Sequence, residues 1–112
     1  MDKLDHYRSL LEEILRLDET PDLADSSAET RVIVDQKSDN YQLMRIGWEG
    51  SSKRVYHCFI HASLRNNKIW IEQDFTEPGL ALQLLERGVP TEDIVLAFQA
   101  PLNRPYTGFA VE

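Results

Sequence analysis

The most constraining feature of the chain is the run Val55–Asp74, VYHCFIHASLRNNKIWIEQD, in which two alternating stretches meet at Asn66-Asn67. Apolar residues at every second position make a strand with one buried side. Adjacent asparagines tolerate the positive φ that a two-residue hairpin loop demands. Such a loop sets the register: Arg65 faces Lys68, Ser63 faces Trp70 and His61 faces Glu72. On the opposite side it sets Leu64 against Ile69 and Ala62 against Ile71, an apolar row that Ile60 and Cys58 extend. A slip of one residue would turn that whole row to water, so the register is strongly specified. The second side then carries Phe59, His61, Trp70, Glu72 and Asp74.

The rest of the chain arranges itself around this hairpin. Leu4, Tyr7, Leu11 and Ile14 recur at spacings of three and four, with Leu10 and Leu17 widening the stripe, and predict an N-terminal helix capped by Asp2. Pro21 and the polar run after it end that helix in a loop. The β-branched stretch Thr30–Asp35, then Tyr41–Trp48, read as two further strands, with turns at Ser38–Asn40 and Glu49–Ser52. Thr76 is placed to cap a second helix with the stripe Leu80, Ala81, Leu84 and Leu85, and Gly88 to close it. Val95–Phe98 is expected to be extended. Tyr106, Phe109 and Val111 are expected to dock the tail on the body. The expectation is one α+β domain over residues 1–112: an N-terminal helix, a four-stranded antiparallel meander, a second helix and an extended C-terminal tail.

Charge and composition narrow the function classes. The net charge of −7 argues against a dedicated DNA-binding domain, which needs clustered Lys and Arg. The charge is uneven: residues 31–68 hold seven bases against three acids. Arg45, Lys53, Arg54, Arg65 and Lys68 in that stretch form the alternative reading, direct contact with nucleic acid. A single cysteine fits a reducing compartment. The opening is charged from its second residue and no apolar run approaches the ~20 residues of a membrane span, so a cytoplasmic protein without membrane contact is expected.

Two constellations resemble catalytic or metal sites. His57 and His61 are four apart, but on a strand that is roughly 13 Å, too far to share an ion. Cys58 and His57 are neighbours and point to opposite sides. Cys58 reads as core. His61, Glu72 and Asp74 are the candidate trio for a small hydrolase, and the plainer reading of His61–Glu72 is a cross-strand pair. The expectation is no catalytic residue, no metal and no cofactor.

The second side of the hairpin is more telling. If the preceding strand pairs through Glu49–Ser52, Met44, Ile46 and Trp48 join Phe59 and Trp70 there. Two tryptophans beside a methionine and a phenylalanine are too apolar for a solvated face and read as a contact with another chain.

Four blocks carry a resemblance over nearly the whole chain: MDKLDHYRSLLEEIL, YQLMRIGWEGSSKRVYHCFIHASLRNNKIWIEQDFTE, LLERGVPTEDIVLAFQAP and RPYTGFAVE. Together they resemble the XisI family, small cyanobacterial proteins called fdxN element excision controlling factors. The resemblance implies a control function in DNA excision during heterocyst development, with a companion, XisH, that resembles nuclease-fold proteins. It implies no catalytic residue. The matching positions are Gly47, Trp48, His61, Lys68, Trp70, Gln73, Thr76 and Glu77, then Gly88, Pro90, Asp93, Arg104, Thr107 and Phe109. Asn66-Asn67 stands where relatives often carry an acid and a glycine. The expected partner-binding set is Trp48, Phe59, His61, Trp70, Glu72 and Arg104, and the expected partner is an XisH-like protein or a second copy in a homodimer.

Overall fold

The computed structural model describes residues 3–19 and 27–112. The Leu4–Ile14 stripe is the buried face of helix α1, Lys3–Leu17, widened by Leu10 and Leu15, while Leu17 is exposed in the last turn. The expected cap Asp2 and most of the loop from Pro21 lie outside the described residues. Strands β1 Ser27–Asp35, β2 Asn40–Glu49, β3 Lys53–Arg65 and β4 Lys68–Asp74 form the antiparallel meander. Asn66 and Asn67 take φ of 53° and 63°, the positive values of a two-residue hairpin loop.

A fifth strand goes beyond the sequence expectation. Ile94–Leu96, β5, pairs parallel with β4, so the sheet order is β1-β2-β3-β4-β5. A parallel neighbour needs a crossover, and helix α2, Leu80–Glu86, supplies it. Asp74, not Thr76, organises the start of α2. Its Oδ2 accepts from the Leu80 N–H at 2.6 Å, and its Oδ1 accepts from the Thr76 N–H at 2.9 Å. At the other end Val89 N–H reaches the Leu84 carbonyl and Gly88 N–H the Leu85 carbonyl, with Gly88 at φ 91°. That pair of bonds closes the helix only if the residue between turns left-handed, which glycine does without strain.

Both helices cover one side of the sheet, here the inner side, where Tyr41, Leu43, Ile60, Ala62, Ile69 and Ile71 meet them. Polar clamps fix α1 in place. The Tyr7 hydroxyl donates to Asp93, which also takes Lys3 at 3.3 Å. Arg8 grips Asp39 through Nε at 2.9 Å and Nη2 at 3.1 Å, and this holds the Asp39 carboxyl below its usual range. Burial first, then the Asp39 charge, pushes the neighbouring Tyr41 phenol up to about 12. No helix among the described residues is long and apolar enough to cross a membrane.

Two bulges decide which side each functional candidate occupies. Between β2 and β3 the register steps at Leu43/Met44, whose partners are Ile60 and Cys58, so Phe59 is the extra residue. Between β3 and β4 it steps at His61/Ala62, opposite Gln73 and Ile71, and Glu72 is extra. A bulge inserts one residue and so reverses the alternation of sides beyond it. Phe59 therefore joins the core side, against expectation, and Cys58 faces Met44 on the outer side instead of continuing the Ile60 row. His57 stacks edge-on against Phe59, with centroids 4.4 Å apart, and so lies across the sheet from His61. Asp74 also turns inward, opposite Ile60.

Candidate functional site

The outer side of the sheet holds the remaining candidates, and it divides into a covered corner and an open one. In the covered corner Trp70 is 7% exposed. Its indole N–H donates to the Arg65 carbonyl at 3.1 Å, and the guanidinium groups of Arg65 and Arg104 lie 3.9 and 5.6 Å from its ring. Arg104 belongs to a 3-10 helix, Pro101–Tyr106, in the tail. The same guanidinium donates to the carbonyls of Gln99, Ala97 and Val111 at 3.1, 3.3 and 3.4 Å. One arginine thus folds the tail and seats it on Trp70, an attraction strengthened where water is excluded. The Ala110 N–H donates to the Ile94 carbonyl at 2.9 Å, and Ala110 bridges Val95 along the edge of β5. Phe109 packs against the core as expected, but Tyr106 is 88% exposed and Val111 is exposed, so Arg104 and Ala110 do the docking.

His61 and Glu72 do not pair. The bulge sets His61 opposite Gln73, its Nε2 lies 2.9 Å from Asn40 Oδ1, and Glu72 bonds Arg65 at 3.3 Å. With Asp74 on the inner side, the hydrolase trio does not converge. Gln73, which sequence reasoning left without a role, donates its amide to the Cys58 carbonyl, and the Phe75 N–H takes the Phe59 carbonyl at 2.8 Å. These bonds carry the β3–β4 ladder past its last pair, Ile60–Asp74, and satisfy groups the irregular strand would leave bare.

The open corner is the far end of the β2–β3 ribbon. Trp48 faces Arg54 and Ile46 faces Tyr56. Trp48 is 46% and Tyr56 64% exposed, and the Arg54 guanidinium lies 5.2 and 5.7 Å from the two rings. Cys58 ends the row, its thiol donating to the Ile60 carbonyl at 3.0 Å and pushed up by burial. Tyr56 was missed because an unbroken alternation puts it on the core side with Cys58 and Ile60, away from Trp48; only the bulge at Phe59 brings the two together.

The basic residues are dispersed. Arg45 lines a cavity of about 280 Å³ on the inner side, whose wall includes Asp18, Phe59 and Glu77. Arg54 and Arg65 lie on the outer side, each against aromatic rings. Lys53 pairs with Glu49 at 3.6 Å in the ribbon turn, and Lys68 bonds the Glu112 carbonyl. Lys53 and Arg65 stand at opposite ends of β3, roughly 40 Å apart. These five residues form no continuous track for a phosphate backbone.

The family described as XisI protein matches residues 1–111. The chain belongs to the XisI family. It is similar to a XisI-like protein from Anabaena variabilis ATCC 29413, with 38% identity over 97% of this chain and 99% of that chain and a TM-score of 0.88. It is also similar to the fdxN element excision controlling factor XisI from Anabaena variabilis ATCC 29413, with 37% identity over 99% and 100% of the two chains and a TM-score of 0.81. No curated protein matches. The α+β fold expected from the sequence is that of these XisI structures. Several XisI-matching positions have plain structural work: Asp93 anchors α1, Gly88 closes α2, and Arg104 seats the tail on Trp70. Trp48 has no comparable burial to account for it.

Proposed function

We propose that this chain is a cytoplasmic controlling factor for excision of a DNA element. It works without catalysis, by associating with another protein chain, either an XisH-like protein or a second copy. The observation that carries this reading is the open aromatic corner: Trp48 and Tyr56, 46% and 64% exposed, hold Arg54 beside Ile46. Exposed aromatics gathered around an arginine have the composition of an interface centre, where Trp, Tyr and Arg concentrate binding energy. Phe59 leaves the expected contact set because it faces the core, and Trp70 acts in it as the base on which the tail rests. The likeness to a protein named as an excision controlling factor supports the biological setting.

The test is co-purification of the full chain with an XisH-like protein, with mass measurement of whatever forms. Trp48→Ala is expected to weaken the complex by roughly 10-fold or more, as a central aromatic does. A wild-type chain that associates neither with the XisH-like protein nor with itself would end this reading.

A further inference from the structure

The outer side has two apolar levels. Leu102 and Tyr106 crown the 3-10 helix that rests on Trp70, and they are 81% and 88% exposed. At three residues per turn, a side chain two positions from Arg104 stands about 120° away from it. Arg104 points down at Trp70, so Leu102 and Tyr106 stand on the two upper flanks of the helix, about 120° apart, as a broad ridge. Diagonally across, the part-exposed Trp48 and Tyr56 form a shelf. Asn40 is level with Ser63 and Trp70, and Trp48 lies eight residues further along β2, so ridge and shelf are separated by roughly 26 Å along the strands.

A face that carries both a ridge and a matching shelf is self-complementary. A two-fold axis in the plane of the sheet, crossing the ridge–shelf line at its midpoint, seats each ridge on the other copy's shelf. We infer that the outer sheet face is the surface through which two copies of this chain associate. Leu102 and Tyr106 of one copy pack on Trp48 and Tyr56 of the other, and the Tyr106 ring takes the open side of Arg54. This rests on the association reading above and names its partner.

Size, shape and charge agree with a second copy. The body measures 45 × 34 × 25 Å, so its broad side exceeds the ~800 Å² each partner buries in a standard interface. Its radius of gyration is 15.1 Å, against about 13 Å for a compact domain of this length. Two chains of net charge −7 repel, and they can meet where charge is balanced. On this face Arg31 pairs with Glu29 and Arg65 with Glu72. The sheet edges are less suited. Glu19 accepts from the Val32 N–H of β1 at 3.1 Å, and Ala110 occupies the edge of β5.

The experiment is sedimentation equilibrium of the full chain across dilution. The wild type is expected to show a species of twice 12.9 kDa. A ridge variant, Leu102→Asp with Tyr106→Asp, and a shelf variant, Trp48→Asp, are each expected to weaken it by about 100-fold or more. The two ridge side chains are so exposed that their replacement keeps the fold, which circular dichroism verifies. Mixing the two variants is the decisive step. Their heterodimer retains one intact ridge on one intact shelf, whereas each homodimer retains none, so the mixture associates more tightly than either variant alone. A monomeric wild type, a dimer insensitive to both variants, or a mixture no tighter than its components would overturn the inference. If a monomeric wild type still captures the XisH-like protein, the association reading survives and only its assignment to a second copy fails.

Discussion

The two tryptophans of this protein sit on the same side of the same sheet, each beside arginine, and meet opposite fates. Trp70 lies under Arg65 and Arg104 and is almost wholly buried by the chain's own tail. Trp48 lies beside Arg54 near the far end of the β2–β3 ribbon, and nearly half its surface is open. The difference is one of neighbours supplied by the fold. An aromatic row on a strand becomes core or contact surface according to whether a distant segment returns to cover it.

The largest effect that tests this contrast is Trp70→Ala. Removing a buried aromatic is expected to cost about 3–5 kcal/mol in urea unfolding. Arg104→Ala should cost less, about 1–2 kcal/mol, for the lost ring contact and carbonyl bonds. It should also loosen the tail, so that acrylamide quenches both tryptophans where in the wild type it reaches chiefly Trp48. Unchanged quenching would mean that Arg104 does not hold the cover.

A third test lies on the inner side. Because the Tyr41 phenol is raised to about 12, its contribution to stability is fully present below its usual value of 10.0 and is lost as pH rises through about 12. Tyr41→Phe should therefore flatten the alkaline decline of stability over that window. The sign reverses for Asp39. Its carboxyl is depressed by Arg8, so its contribution is present above 3.8 and is lost as pH falls through the lower folded value. Arg8→Ala should shallow that acid limb. The smallest expected effect is Trp48→Ala, within about 0.5 kcal/mol for the isolated chain, as at exposed sites generally. A cost comparable to that of Trp70→Ala would erase the distinction between the two corners.

Much of this was legible beforehand. The Asn66-Asn67 loop sets Leu64 against Ile69, Ala62 against Ile71 and Ser63 against Trp70 as the alternation requires. The apolar stripe of α1 and the glycine closure of α2 follow from spacing and backbone freedom. The functional face was legible only in part. Trp48, Met44 and Ile46 do share the outer side with Trp70, but Phe59 and Cys58 exchange places and His61 loses Glu72. Leu102 and Tyr106 carry no alternation or helical stripe, so nothing in their spacing marks them as a ridge.

By itself, then, the sequence determined the elements and their order, because periodicity, turn chemistry and caps act over a few residues. The tertiary structure alone decided the sides and the cover. A bulge forms where neighbouring strands and their loops fit best, and one extra residue is enough to turn a side chain from core to solvent. Arg104 meets Trp70 across thirty-four positions of chain, a contact that no local pattern encodes.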